Sequence, residues 1–455
     1  MKQPQKRGKN SSCLEVSTAA ERTSPNKIAE QKRKKNSLCL GERVRVHFKA
    51  LAHGGTCIGD ITEGAAKGVK VFAAGVIPGE DAVITIKENR GNFCEGELSE
   101  LLSTAPARVT PPCPYFTQPL NGCGGCDLQH IEVKTQRQLK LALVQNTILH
   151  QGGASAKNGA SDASDGLPPF HYRHRVTLHT DSNGKVGFYK KKSGELIEIE
   201  RCLLVTDEIN LVLPFVKEFV KKHPALISGV VLEFHEGEHF LLLKIVKGKV
   251  TAWDSWLTEL KPHFHSIKLE SDGVQLFQYK RRDNTIPFGH FSQVNEEANV
   301  RLVNLVCSEI TGSVITELYA GAGNFSIPLA QMGKKVTAVE LDPELTKYGT
   351  LLASQKNIAP EDLHFINSSV ERYLKRASLA ESVLLDPPRS GARVVAEVCD
   401  PTKQREIVYV SCNPATLARD IKIFTTNGFI LQKIITLDMF SQTQHIETVA
   451  LLSNK

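Results

Sequence analysis

One stretch restricts the fold more than any other: SVITELYAGAGNFSIPLAQMGKKVTAVELDPE, Ser313 to Glu344. It reads as strand, glycine loop, helix, strand and acid. From about Glu296 onward apolar strands alternate with helical segments, the pattern of a doubly wound α/β fold with a parallel sheet. Gly321 and Gly323 let a ligand approach the backbone closely. Glu340 closes the second strand, where a carboxylate can accept both hydroxyls of a ribose. Ser326 stands where a dinucleotide fingerprint has its third glycine. With no pyrophosphate to cradle, S-adenosyl-L-methionine fits this loop better than a dinucleotide. Taken alone, the motif remains compatible with another nucleotide or with a purely structural role.

Two further strand ends sharpen the reading. In SVLLDPPRSGA the strand stops at Asp386, and two prolines stiffen the loop while removing two backbone donors. Asp386 therefore falls at the carboxyl edge of the sheet, where open α/β folds bind ligands. In many amino-group methyltransferases a similar loop carries an aromatic after the prolines. Here Arg389 occupies that place, which argues against adenine N-methylation. In IVYVSCNPATLARD a buried strand breaks into Ser411-Cys412-Asn413-Pro414, and the last hairpin, LDMFSQTQHIETVALL, carries Glu447.

A methyl donor, a thiol and a carboxylate at one rim suit the methylation of a poorly nucleophilic carbon. Carbon 5 of uracil becomes nucleophilic when a thiolate adds to carbon 6, and a base must then remove the carbon-5 proton. Cys412 is the expected nucleophile and Glu447 the expected base. Methylation at nitrogen or oxygen would need no thiol.

The chain resembles the RNA uracil-5-methyltransferase family, closest to its iron–sulfur members acting on 23S ribosomal RNA. The resemblance rests on FSQVN, ELYAGAGNF, VELDP, LLDPPRSG, VSCNPATLARD and DMFSQTQHIETV, which span nearly all of residues 291 to 450. It implies a Rossmann-like class I methyltransferase domain with Cys412 as nucleophile and Glu447 as proton acceptor. It also implies adenosylmethionine contacts at Gln293, Tyr319, Glu340 and Asp386, with Asn324 and Asn367 near further contact positions. Alternatives from other classes are a transfer-RNA uracil-5-methyltransferase, a non-catalytic RNA-binding assembly factor, and a 5-methylcytosine enzyme. Intact Asp386, Cys412 and Glu447 argue against the second, and the absence of a cysteine from the Asp386 loop argues against the third.

Cys113, Cys123 and Cys126 lie in PPCPYFTQPLNGCGGCDLQH, and Cys202 in ERCLLV is the expected fourth ligand. Four thiolates suit a 4Fe–4S cluster or zinc, and spacing leaves these equal. The resemblance favours 4Fe–4S, in a structural and RNA-organising role. Residues 37–104 alternate with period two between glycine and proline breaks, which describes a small β-barrel. With HGGTCIGD and GVIPGEDAVITI it resembles the OB-like TRAM domain, a barrel that binds single-stranded RNA. The target uridine would have to leave its stack to reach Cys412, and Phe288, Phe291 and Phe440 are candidates to stack on it.

The organisation expected is a basic tail over 1–36, the barrel, a mixed α+β central domain over 105–290 with the cysteines, and the catalytic domain over 291–455. The low-complexity segment GGASAKNGASDASDGLPP is expected to be an exposed loop. The net charge of +7 comes entirely from the first 40 residues, whose ten Lys/Arg face three Glu. That tail reads as solubilising or as a polyanion contact, with RHRVTLH and YKRR as local basic clusters in the balanced remainder. No apolar run is long enough for a membrane span and the N-terminus lacks a signal-peptide core. A cytoplasmic, monomeric RNA enzyme with reduced thiols is expected.

Overall fold

A computed structural model describes residues 38–117, 122–235, 237–246, 253–280 and 293–454. The basic tail, Arg281 and Arg282 of YKRR, Phe288 and Phe291 lie outside the described residues. The described strands fall into three sheets.

The first is a closed barrel of β1 (Arg43–Leu51), β2 (Cys57–Ile61), β3 (Lys70–Ala73), β4 (Asp81–Asn89) and β5 (Phe93–Leu101). Its order, β1-β2-β3-β5-β4 with β4 closing onto β1, is that of an OB-type barrel. The expected period-two pattern is present: alternate residues of β1 and β4 point inward, and Val46, Phe48, Ile84 and Ile86 are fully buried. Leu128 and Ile131, just past the CGGC segment, complete this core. The Arg108 guanidinium clasps the buried Glu80 carboxylate at 2.6 and 2.7 Å and the Gly75 carbonyl at 2.8 Å, locking the barrel to the segment that leaves it.

β6 (Ala160–Asp162) is followed by a seven-stranded sheet of β7 (Arg175–Thr180), β8 (Val186–Tyr189), β9 (Leu196–Glu198), β10 (Ile227–His235), β11 (Glu238–Ile245), β12 (Ser266–Ser271) and β13 (Val274–Lys280). Ile209, Leu213, Val216, Phe219 and Val220 of the helix Asp207–Lys222 are buried against it.

The catalytic sheet contains β14 (Val314–Leu318), β15 (Lys335–Glu340), β16 (Leu363–Asn367), β17 (Ser382–Leu385), β18 (Glu406–Ser411), β19 (Ile430–Leu437) and β20 (Glu447–Ser453). It runs β16-β15-β14-β17-β18-β20-β19-β6, parallel except for β20. This is the Rossmann-like class I methyltransferase sheet that the alternation of strands and helices implied. Strand order reverses between β14 and β17, so the ligand crevice opens above their carboxyl ends.

The 105–290 segment is shared between two sheets. Its helix Val133–Thr147 packs on the catalytic side, and β6 extends the catalytic sheet beside β19. The low-complexity stretch is therefore not simply an exposed loop. Ala154, Ala156 and Ala160 are small enough to lie against the catalytic core, and Ala160–Asp162 pair in register with Ile434–Thr436.

Candidate active site

The floor of the crevice is the loop after β14. Tyr319 has a φ of +66°, rare for a non-glycine residue and a form of strain that gathers at functional sites. Gly321 (φ +56°) has open space where a Cβ would project, leaving its backbone accessible to a ligand. Gly323 (φ +93°) has none: a Cβ there would sit 2.9 Å from Phe365 Cζ. Ser326, in place of a third glycine, donates its hydroxyl to the buried Glu317 carboxylate beneath the loop. Burial pushes that carboxyl up to about 8.

Glu340, ending β15, accepts the Gly321 and Asp342 N–H groups, each at 2.8 Å. The acid thus tethers the glycine loop while keeping lone pairs for a further donor. Asn367 donates to the Glu340 and Leu341 carbonyls. Asn324 exchanges hydrogen bonds of 3.0 and 2.9 Å with Asn299 of the helix Glu296–Glu309. That helix is capped by Asn295, whose side chain accepts from Ala298 N and donates to the Met439 carbonyl. Gln293 stands two residues before the cap, and through Asn295 and Asn299 this helix start joins the final hairpin to the glycine loop.

Asp386 follows β17 at the switch point, and loss of solvation pushes its carboxyl up to about 7. Cys412 follows β18. Ser411 pairs with Thr448 in the last rung of the antiparallel β18–β20 ladder, so Cys412 and Glu447 follow at the same end of it. Burial pushes the Cys412 thiol up to about 11; the Glu447 and Asp386 carboxyls add to the rise and the Arg389 guanidinium opposes it. Glu447 is itself buried, and desolvation raises its carboxyl well above the usual range, with Asp386 adding to the rise and Arg389 opposing it. Cys412, Glu447, Asp386 and Arg389 therefore form one electrostatic group at the rim, and only Arg389 lacked an expected role there.

The Asn413-Pro414 pair is a helix start as well as a strand stop. Asn413 accepts from Ala415 N as the cap of the helix Pro414–Thr426, with proline at its first position. The Asn413 amide and the Thr416 hydroxyl both donate to the Arg389 carbonyl, at 3.0 and 3.1 Å. The thiol loop and the Asp386–Arg389 loop are thus fastened together.

The segment Asp438–Glu447 carries the candidate base and is held by residues that sequence reading missed. Lys140, fully buried, donates to Asp438 Oδ1 at 2.6 Å. Burial lowers the Lys140 pKa, and Asp438 opposes that shift. Gln136, one turn earlier, donates to Gln442 Oε1 at 2.9 Å and accepts from Gln442 N at 3.1 Å. Asp127 N and Leu128 N donate to the Gln442 carbonyl, and Asp127 Oδ2 accepts from Gln444 N at 2.9 Å. The one local signal was Gln136 and Lys140 sharing the buried face of their helix with Val144. Lys140→Ala leaves the buried Asp438 charge uncompensated, a loss of about 3–5 kcal/mol. A clear fall in the urea midpoint is expected, and an unchanged midpoint would mean that the pair contributes nothing.

Cys113, Cys123, Cys126 and Cys202 line one cavity with Tyr115, Phe188 and Ile199. Cβ atoms at Gly122 and Gly124 would collide with the Tyr115 and Tyr189 carbonyls, so glycine lets the chain wrap this closely. Gly125 N–H points at Cys123 Sγ at 3.4 Å, and Asn210 brackets the Cys202 backbone at 2.9 and 3.0 Å. Burial pushes the Cys123 thiol up to about 11 and raises Cys126 and Cys202, with neighbouring thiols adding to each rise. Without a cation these groups stay protonated; a bound metal centre would take them as thiolates. Phe440 is half-buried beside His445, their ring centroids 6.0 Å apart.

Residues 259–455 match the family described as tRNA (uracil-5-)-methyltransferase. The 23S rRNA (uracil(1939)-C(5))-methyltransferase RlmD of Vibrio campbellii is 31% identical over 403 residues, covering 84% of this chain and 90% of the relative. Its Dichelobacter nodosus counterpart is 30% identical, covering 85% and 94%. Among solved structures, the Pyrococcus abyssi tRNA (uracil-54, C5)-methyltransferase, in complex with S-adenosyl-L-homocysteine, superposes with a TM-score of 0.67 at 22% identity. That match covers 90% of this chain and 99% of the other.

Proposed function

The chain belongs to the adenosylmethionine-dependent RNA uracil-C5-methyltransferases, and on that footing we propose that it forms 5-methyluridine in 23S ribosomal RNA through covalent catalysis at Cys412. The observation that supports the mechanism is the register of β18 and β20, whose last rung, Ser411–Thr448, brings Cys412 and Glu447 to the same end of the ladder at the carboxyl edge of the sheet.

The Cys412 thiolate adds to carbon 6 of the uracil, and the ring electrons move onto carbon 5 as an enolate. When bound, adenosylmethionine supplies the methyl group that carbon 5 takes up. Glu447 removes the carbon-5 proton, the ring double bond re-forms, and the Cys412–carbon bond breaks to release the thiolate. Desolvation strengthens Glu447 as a base. Arg389 favours the thiolate, the only anion-stabilising charge among the influences on Cys412. Glu340 is assigned to the ribose hydroxyls. Tyr319, Gln293 and Asp386 complete the donor contacts, with Asn324 and Asn367 shaping the loop.

The substrate assignment rests on sequence identity to the 23S enzymes over most of both chains. A tRNA-modifying enzyme shares the fold across 90% of this chain, so possession of a barrel does not by itself distinguish the two RNAs. The purified protein should place 5-methyluridine in 23S RNA, read by mass mapping of 23S and transfer RNA treated in parallel. Label confined to transfer RNA would overturn the substrate but not the chemistry; no 5-methyluridine in either would overturn both.

The barrel is assigned as a TRAM-type RNA-binding module in a cytoplasmic, monomeric enzyme. No helix among the described residues is long and apolar enough to cross a membrane. Phe440 is the described candidate to flank the extruded base. The four cavity cysteines are assigned to a 4Fe–4S cluster. A cubane takes one thiolate on each of its four irons, and four thiols around one cavity supply that number. The cluster would cross-link the segment whose Asp127 and Leu128 hold the Gln442–Gln444 loop; no electron transfer is required. Anaerobically purified protein should contain about four irons per chain; one zinc and no iron would reject the assignment.

A further inference from the structure

The seam between the seven-stranded sheet and the catalytic domain holds three side chains with one focus. His174 precedes β7, His235 ends β10, and Glu296 opens the helix Glu296–Glu309. Glu296 Oε1 lies 2.9 Å from His235 Nδ1 and 3.6 Å from His174 Nε2. The three potential ligand atoms all fall within 4.8 Å of one another.

Glu296 is largely exposed and can be satisfied by water. His174 cannot: its side chain is only 7% exposed, and Nε2 has no hydrogen-bond partner. An unsatisfied buried polar atom of this kind costs about 1–3 kcal/mol. It persists because the backbone fixes the ring. His174 N donates to the Val294 carbonyl at 3.1 Å, and Phe234 N donates to the His174 carbonyl at 3.0 Å. Those two bonds bring the His174, His235 and Glu296 segments together before any ligand is added.

We propose that His174 Nε2, His235 Nδ1 and the Glu296 carboxylate bind a divalent transition-metal ion of the zinc type. Bonds of about 2.0–2.1 Å in a tetrahedron separate neighbouring ligand atoms by about 3.3 Å. Two of the three separations, 2.9 and 3.6 Å, bracket that spacing, and the third is no more than 4.8 Å. Two imidazoles and one carboxylate suit zinc, cobalt or nickel and do not suit calcium or magnesium. Behind His235, Glu233 Oε2 lies 4.0 Å from Nε2 and is kept in place through the Arg175 contact on its other oxygen, at 2.7 Å. A carboxylate on the far side of a ligating imidazole is the usual outer partner of such sites. The ion ties Gln293–Glu296 to the central sheet. The site shares no residue with the cysteine cavity or with the Cys412 group, and it stands whether or not the RNA assignment holds.

The test is anaerobic titration of tag-free full-length protein, its cysteine site loaded with iron and sulfide, with Co2+ alone. One equivalent should bind and produce visible ligand-field absorption without a thiolate charge-transfer band. Glu296→Gln and His235→Gln should each weaken Co2+ binding by about tenfold or more. His174→Gln should do the same, and the exposed position of Glu296 keeps the test available if the buried variant fails to fold. No saturable binding, a thiolate band, or equal affinity in folded Glu296→Gln and His235→Gln proteins would overturn the proposal.

Discussion

Cys412→Ala is expected to abolish 5-methyluridine formation, by at least ~10^4-fold, as loss of a covalent nucleophile does in other enzymes. Adenosylmethionine should still bind, because Tyr319, Glu340 and Gly321 sit at the ends of other strands. Cys412 is half-buried, and its replacement leaves only a small void beside Glu447. Burial and two carboxyls raise the thiol pKa in the RNA-free protein, so kcat/KM should also climb from about pH 7 to about pH 9, as the thiolate fraction grows. The sign follows from the protonation states: below its pKa the thiol is neutral and cannot add to carbon 6, and a protonated Glu447 cannot act as base. Steady-state methyl transfer to RNA, with donor binding measured calorimetrically, separates the two effects. Residual turnover within tenfold of the wild type would rule out a covalent route through Cys412.

Glu447→Gln should behave differently, because it blocks a later event. Addition at carbon 6 and methylation need only the thiol and the donor. Without a base, the carbon-5 proton stays and the Cys412–carbon bond cannot break. A methylated RNA–protein adduct should therefore accumulate, stable to denaturation and visible as a retarded band carrying the labelled methyl group. Multiple turnover should fall by about 10^2–10^4-fold, the usual contribution of a general base. The Cys412→Ala, Glu447→Gln double variant should form no adduct. Normal turnover by the single variant would remove Glu447 from the base role.

Much of the candidate site could be read from local patterns, since each element announces itself within a few residues. Gly321, Gly323 and Glu340 report a strand–loop–helix–strand unit. Asp386 and Cys412 each follow an apolar strand and precede proline. That Asp386 and Cys412 share one edge was inferable because parallel α/β sheets put such strand ends together; Glu447 joins them because β20 runs antiparallel and begins at that edge. The supporting framework was less legible. Lys140 and Asp438 are 298 positions apart, and nothing in either segment names the other. Ala160–Asp162 looked like part of a polar linker because three paired residues are too few to generate a period. The trio of His174, His235 and Glu296 was invisible for the same reason: each residue is ordinary in its own segment, and RHRVTLH read only as a basic cluster.

The sequence alone determined the class I sheet, the OB-like barrel and the strand ends that carry Asp386 and Cys412, because periodicity, turn residues and motif order act over short distances along the chain. Only the tertiary structure decided which side chains share an environment. It brought Cys412 and Glu447 to one end of the β18–β20 ladder, clasped the Asp438–Glu447 loop with Gln136, Lys140 and Asp127, and gathered four cysteines around one cavity. Contacts between distant segments depend on burial and on the satisfaction of buried polar groups. Those terms exist only once the chain has closed on itself.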